Sequence, residues 1–191
     1  VESIIEEDNL DLQMRSAYRK GLEALKDGDV YYAAKKFNEA ELLYPQSEWA
    51  AKAVLMASYG YYSQAYYSSA ADELNRFIKK YPKDPNLDYA YYLLAMCHYE
   101  SIVDEKKDLK PLLDAKESFN LVIQKFPLTD FALDSKYKLG LINDLLAAKE
   151  MYIARHYIKK ERWVAAINRL KVIVNQYDTT IYIEEALHRL V

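Results

Sequence analysis

The chain has 191 residues, of which 51% are hydrophobic and 29% are charged, and its formal net charge is −3. Its four glycines and five prolines are too few for the many tight turns of an all-β fold, so the composition favours helices. Basic residues never occur in runs longer than two, which argues against a nucleic-acid-binding surface, and no apolar stretch approaches the roughly 20 residues that span a bilayer.

Hydrophobic periodicity along the chain predicts nine helices. They cover residues 9–26, 30–43, 47–63, 66–80, 87–103, 111–125, 129–159, 162–176 and 180–190. Asp29 and Ser47 precede apolar helical patterns and are predicted N-caps. The long helix at about 130–159 contains no proline and only one glycine, so nothing in this stretch predicts a break.

Four of these helices end alike, with an aromatic residue followed by proline or, in the last case, by aspartate. The ends are Tyr44-Pro45, Tyr81-Pro82, Phe126-Pro127 and Tyr177-Asp178. A small residue lies 12 positions before each stop and a large one eight before it, in the pairs Ala33/Phe37, Ala70/Leu74, Ala115/Phe119 and Ala166/Leu170. This spacing is the second half of the tetratricopeptide repeat (TPR) pattern, whose period is about 34 residues. Small residues also recur at one place in the first helices, at Gly21, Ser58, Ala95 and Ala154.

The sequence therefore predicts an all-α fold, a right-handed superhelix of about five TPR-like helical hairpins in a single domain over residues 1–191. The predicted repeats cover approximately 14–46, 47–84, 87–128 and 129–178, followed by a partial repeat at 179–191. Successive stops lie 37, 45 and 51 residues apart, so the repeats are irregular in length. Because an unpaired terminal helix exposes its apolar face, the natural chain is expected to continue beyond Val191.

The first helix of each hairpin in such a solenoid lines the concave surface. Aligning the four small positions places these side chains toward that groove: Tyr18, Leu22, Tyr59, Tyr62, Tyr89, Tyr92, Met96, Tyr99, Met151, Arg155 and Lys159. Six of them are tyrosines, whose rings combine contact area with a hydrogen-bonding group. The pattern predicts a groove for an extended or aromatic-ended peptide, while helix–helix packing of the same rings is the alternative.

The sequence shows no pattern for catalysis or for a cofactor. His98, His156 and His188 lie on different predicted helices, without a His or Cys at metal-ligand spacing. Motifs such as a Gly-rich phosphate loop, GxSxG or HExxH are absent from the sequence. The single cysteine, Cys97, lies in an apolar helical run and is predicted to be buried and inert. We therefore predict a protein that is not an enzyme and needs no metal.

Several stretches resemble the family of outer-membrane protein assembly factors called BamD, in the form typical of alphaproteobacteria. They are YPQSEWAAKAVLMASYGYY, RFIKKYPKDPNLDYAYYLLAMCHYE, RWVAAINRLKVIVNQYDTT and EEALHRLV, and the resemblance extends over essentially the whole chain. It implies five TPR-like repeats and a non-catalytic scaffold at the periplasmic face of the outer membrane. It also implies an anchor on an acylated N-terminal cysteine.

The implied partners are proteins. The C-terminal half is expected to bind the POTRA domains of the insertase BamA, and the N-terminal half unfolded outer-membrane proteins whose targeting signal ends in an aromatic residue. Other lipoproteins of the machinery are further expected partners, whereas nucleic acid is not. The family's W-V-A-x-x-N-R run corresponds to Trp163, Val164, Ala165, Asn168 and Arg169, and its arginine contacts BamA.

Arg155 is expected to join Trp163, Asn168 and Arg169 in this partner site. For Arg169 the alternative is an ion pair with Glu150 or Asp144 on the long helix. The family's Y-P-x-S-x-W run places Trp49 beside the N-terminal pocket, although Trp49 could equally belong to the core.

The chain departs from the family pattern in lacking the lipid-bearing cysteine and in its incomplete fifth repeat. It is therefore expected to be a soluble fragment of a lipid-anchored protein. Two other readings remain: a periplasmic TPR adaptor of the TolB-associated cell-division type, and a cytoplasmic TPR co-chaperone. The former usually carries heptads and the latter a cluster of Lys, Arg and Asn on its first helices, and neither pattern is present.

Overall fold

The computed structural model describes residues 2–102 and 109–191, and for residues 2–8 only the backbone. All regular structure in these residues is helical, in nine helices: α1 (Glu2–Lys26), α2 (Val30–Leu43), α3 (Glu48–Ser63), α4 (Tyr67–Lys80), α5 (Leu87–Glu100), α6 (Lys110–Lys125), α7 (Asp130–Lys159), α8 (Trp163–Gln176) and α9 (Ile183–Leu190). The all-α prediction is confirmed, including the 30-residue helix α7.

Helix boundaries differ from the predicted ones by more than one residue at three places, one of which is the start of α9, at Ile183 rather than at 180. α1 begins at Glu2 rather than at 9, since an acidic segment is favourable at a helix N-terminus. α5 ends at Glu100, and residue 103 of its predicted span lies outside the described residues. The predicted caps are confirmed, because Asp29 Oδ1 accepts the Tyr32 N–H at 3.0 Å and Ser47 Oγ accepts the Trp49 N–H at 3.1 Å.

The chain forms two compact units, residues 1–101 and 102–191. Helices α1 to α5 pack consecutively in the first unit, where α3 also contacts α5, and α6 to α9 pack consecutively in the second. Short connections make consecutive helices antiparallel hairpins of the TPR type. The boundary falls between α5 and α6, so the single domain, the third repeat and the superhelix over 1–191 stay predictions.

The four aromatic stops share one backbone conformation. Tyr44, Tyr81, Phe126 and Tyr177 are all C-cap residues with φ between −144° and −120°. Each donates its N–H to the carbonyl four residues earlier, which satisfies one acceptor of the last turn. The Tyr81 ring folds back to 5.5 Å from the Phe77 ring, as expected for an aromatic that closes a helix end.

The small–large pairs form the interior of the hairpins. Every member of the four pairs is at most 2% exposed, and Ser58, Ala95 and Ala154 are fully buried. Gly21 shows why this position must be small, because a Cβ there would lie 2.8 Å from Cε1 of Phe37. The ring of Phe37 thus occupies the space that a side chain at Gly21 would need.

A buried carboxylate joins α2 to the end of α4. Glu41 is 2% exposed, and it accepts hydrogen bonds from Arg76 at 2.6 Å, Lys80 at 2.7 Å and the Tyr81 hydroxyl at 2.8 Å. Burial by itself raises the pKa of Glu41, but the hydrogen bonds from Lys80, Arg76 and Tyr81 outweigh burial and lower it. Glu41 is therefore a charged contact between the second helices of neighbouring hairpins.

Candidate protein-binding surfaces

A cavity of about 420 Å³ lies in the first unit on helices α1, α3 and α5. We call it the aromatic cavity, and its lining consists of Tyr18, Lys52, Leu55, Met56, Tyr59, Asn86 and Tyr89. Three of the six predicted groove tyrosines are in this lining, one from each first helix. The predicted alignment of Tyr18, Tyr59 and Tyr89 on one surface is therefore observed, whereas ligand binding there stays a prediction.

Trp49 lies beside the aromatic cavity. Its ring contacts the Tyr18 ring edge to face, with centroids 5.1 Å apart and planes at 74°. Lys52 Nζ is 5.0 Å from the centroid of the Trp49 ring, close enough for a cation–π contact. Tyr18 in turn packs 5.3 Å from the buried Phe37, so the core of the first hairpin orients this wall of the cavity.

The other three tyrosines do not line this cavity in the part of the chain that is described. Tyr62 is half-buried and packs 5.7 Å from the ring of Tyr67 on α4, and burial raises its pKa to about 12. Tyr92 and Tyr99 are also half-buried. The Tyr62 ring therefore packs helix α3 against helix α4, which was the alternative to ligand binding.

Groove predictions made from spacing alone need correction at Met96, Met151 and Leu22. Met96 is buried in α5. Met151 is fully buried, because α7 turns this residue toward the interior of the second unit. Leu22 is half-buried and packs against the core cluster of α1, α2 and α3. Met96 and Met151 are therefore interior side chains, and Leu22 belongs to the packing of the first hairpin.

The C-terminal surface is the exposed start of α8. Trp163 is 59% exposed and Val164 is 75% exposed, and Asn168 lies one helical turn further along. These residues line a shallow concavity of about 550 Å³ together with Glu161, Arg162 and Ala165. Trp163 and Asn168 are the two of these residues that were expected to contact a partner, and both are exposed.

Arg169 forms the ion pair that was the alternative for this residue. Its Nη1 lies 3.2 Å from Oε2 of Glu150 on α7, while Asp144 instead accepts the backbone N–H of Ile181. The Arg169 side chain nevertheless keeps 43% of its surface exposed. An internal partner and a partner on another protein are thus both within reach of this guanidinium.

Arg155 connects α7 to α9. It makes a bidentate contact with Glu185, through Nε at 2.9 Å and through Nη2, and Arg189 Nε lies 2.6 Å from the same carboxylate. The hydrogen bond from Arg155 is the main reason that the pKa of Glu185 is lowered to about 2. Arg155 therefore serves the packing of α9, and its predicted role in partner binding stays a prediction.

Metal-binding clusters and the reactivity of the cysteine can be judged in the described residues. Among them, no group of three His, Cys, Asp or Glu side chains could hold a metal ion. Cys97 is 1% exposed and burial raises the pKa of its thiol to about 12, so the unreactive thiol form prevails. None of the described helices is long and apolar enough to cross a membrane.

Comparison with known families identifies the chain. The sequence pattern of the YfiO family, described as outer membrane lipoprotein, matches residues 10–191. The chain belongs to the YfiO family. The resemblance seen in its sequence stretches is thereby confirmed at the level of the family.

Relatives of this YfiO chain include three proteins named "Outer membrane protein assembly factor BamD". The one from Rickettsia prowazekii is 41% identical over 91% of this chain and 69% of its own length. The one from Caulobacter vibrioides is 38% identical over 91% of this chain, and the one from Neisseria gonorrhoeae is 29% identical over 93%. The chain spans 57% of the length of the Caulobacter relative.

Sequence reasoning missed four residues of the aromatic cavity in this YfiO chain, Lys52, Leu55, Met56 and Asn86. The helical period contained the signal for three of them, since 52, 55, 56 and 59 fall on one face of α3. Asn86 precedes α5 in a loop, where periodicity carries no information. The completed cavity combines aromatic walls, a thioether and one cation, a set that suits an apolar side chain next to an acidic group.

Proposed function

We propose that the chain is a non-catalytic assembly factor for outer-membrane β-barrel proteins, held at the periplasmic face of the outer membrane by a lipid anchor. It binds POTRA domains of BamA through the C-terminal surface and unfolded outer-membrane protein segments through the aromatic cavity. Other lipoproteins of the machinery are further partners. Membership of the YfiO family and the names of its BamD relatives favour this role over the cell-division adaptor and the co-chaperone.

The observation that carries the proposal is the exposure of the C-terminal surface. Trp163 and Val164 are large apolar side chains on the first turn of a helix, with Asn168 and Arg169 within two turns. Tryptophan and arginine are the residue types that dominate binding energy at protein interfaces. A POTRA domain that supplies a carboxylate to Arg169 would form a bidentate pair next to an apolar contact.

Calorimetry of the chain with the POTRA domains of the matching BamA tests this surface. Arg169→Glu is expected to weaken binding by about 30-fold or more, as for truncation of a buried interfacial charge pair. The matched control is Arg15→Glu, which makes the same charge change at an arginine on α1 that is paired with Asp11 at 2.7 Å.

Glu150→Gln separates the two roles of Arg169. It removes the internal ion pair and leaves the guanidinium in place, so we expect binding to be maintained. If Arg169→Glu and Arg15→Glu bind alike while circular dichroism shows intact helices, Arg169 is structural only and the proposed site is wrong.

Binding of a peptide with a C-terminal aromatic residue tests the aromatic cavity. Tyr59 is 45% exposed and lines the cavity, so Tyr59→Ala is expected to weaken peptide binding by about fivefold or more. Tyr152→Ala is the control, because Tyr152 is 74% exposed on α7 outside the cavity. Equal affinities for the two variants would contradict peptide binding at this site.

A further inference from the structure

A basic cluster lies where α7 ends and α8 begins. We call Lys159, Lys160, Arg162, Trp163 and Val164 the basic tip; all five are exposed. Glu161 is the single acid in this stretch, and it adopts a left-handed φ of 55° that turns the chain into α8. In the described part of the chain no ion pair is formed by Lys159, Lys160 or Arg162, which leaves their charges available.

Local helix physics explains only part of this cluster. Lys159 and Lys160 end α7, where the helix dipole favours cations. Arg162, however, is the N-cap of α8, at a helix end where the dipole disfavours a cation. Like the N-caps of α4, α5, α6 and α9, it makes no capping hydrogen bond within the described residues. The first turn of α8 has no acidic residue and exposes Trp163 and Val164.

Residues that break local rules without an internal benefit point to a functional surface. Three unpaired, exposed cations close together attract an anionic partner, and the lysines are point charges that need no fixed bidentate geometry. The indole of tryptophan prefers the headgroup region of a membrane, and Val164 adds apolar area beside it. The matching family is described as outer membrane lipoprotein, and the inference rests on the lipid anchor of the proposed function, which would hold the protein at a bilayer.

We propose that the basic tip docks on the anionic phospholipid headgroups of the membrane that holds the protein. The three cations attract the headgroup phosphates, and Trp163 enters the interface. A basic patch acts together with a lipid anchor as a second attachment, which orients the second unit relative to the bilayer. This contact shares Arg162, Trp163 and Val164 with the proposed BamA-binding surface, and it adds the charges of Lys159 and Lys160.

Sedimentation of the chain with vesicles tests the proposal without any protein partner. We expect binding to phosphatidylglycerol vesicles at low salt, little binding to phosphatidylcholine vesicles, and weaker binding as salt is added. The triple variant Lys159→Gln/Lys160→Gln/Arg162→Gln is expected to lower the partition constant by about 100-fold.

The matched control is Lys35→Gln/Lys79→Gln/Lys83→Gln, which removes three exposed lysines from the first unit and changes the net charge equally. It is expected to bind vesicles within about threefold of the unaltered chain. In a Trp49→Phe background, the emission of Trp163 is expected to shift to shorter wavelength with phosphatidylglycerol and to remain unshifted in the tip variant.

Two outcomes would overturn the proposal. If both triple variants lose binding equally, net charge rather than the basic tip is responsible. If the chain ignores phosphatidylglycerol while the tip variant loses POTRA binding in calorimetry, the tip serves an acidic protein surface instead. The vesicle assay contains no POTRA domain and the calorimetry contains no vesicle, so failure of this inference is distinguishable from failure of the proposed function.

Discussion

Glu41 and Glu185 are carboxylates with similar partners and very different surroundings. Glu41 is nearly inaccessible and accepts from Arg76, Lys80 and Tyr81, whereas Glu185 keeps 29% of its side chain exposed and is held by Arg155 and Arg189. Water screens both ends of the contacts of Glu185, whereas at the first site it reaches Arg76 and Lys80 but hardly the Glu41 carboxylate. A count of ion pairs would treat the two sites alike, but burial makes only the first one important for stability.

The largest expected effect is therefore at Glu41. Glu41→Ala should lower the free energy of unfolding of the first unit by about 2 to 3 kcal/mol, because it removes a buried carboxylate together with its hydrogen bonds from Arg76, Lys80 and Tyr81. Glu185→Ala should lower that of the second unit by less than about 1 kcal/mol. Urea unfolding followed by Trp49 in a Trp163→Phe background, and by Trp163 in a Trp49→Phe background, measures each unit. Equal losses would refute the comparison.

Acid is expected to weaken the contacts of both carboxylates, and the loss at Glu41 can be tested. A carboxyl whose pKa is lowered on folding stabilises the protein above its unfolded value of about 4.5, and that contribution is lost as the pH falls through the folded pKa. For Glu185 this contribution is lost as the pH falls from about 4.5 to about 2. The stability difference between the unaltered chain and Glu41→Gln should shrink from pH 7 to pH 3. A constant difference would mean that the Glu41 charge is not what stabilises the unit.

The hydroxyl of Tyr81 makes a smaller contribution. Tyr81→Phe removes one of the hydrogen bonds to Glu41 and should cost about 1 kcal/mol, since Arg76 and Lys80 remain. Tyr152→Phe is the control, because the Tyr152 ring is 74% exposed. Unfolding midpoints that move equally in the two variants would argue against a role of the Tyr81 hydroxyl.

The smallest expected effect is at Arg155. Arg155→Ala releases Glu185 and should speed amide hydrogen exchange in α9 a few-fold while leaving α7 protected, because α9 is a short terminal helix. Lys159→Ala on the same helix should leave exchange in α9 unchanged. Slower or unaltered exchange in α9 after Arg155→Ala would show that the exposed pair does not fasten this helix.

The candidate surfaces were predictable to different degrees. Tyr18, Tyr59 and Tyr89 were assigned to one surface because the small residues of the first helices align in register. Met151 was misassigned to the groove, although it is fully buried. Spacing alone does not fix which face of the 30-residue helix α7 points to the interior. The partner of Arg169 remained open between Glu150 and Asp144 because both lie on α7 within reach of α8.

The sequence by itself determined the helices, the N-caps Asp29 and Ser47, the aromatic stops and the small–large pairs of the interior. All of these depend on residues within about one repeat of each other, where helical periodicity and proline act directly. Only the tertiary structure decided that Glu41 is buried, since its partners Arg76, Lys80 and Tyr81 lie 35 to 40 residues away. A charged residue in a helical pattern resembles a solvated one until a neighbouring hairpin covers it, so burial belongs to packing and not to local sequence.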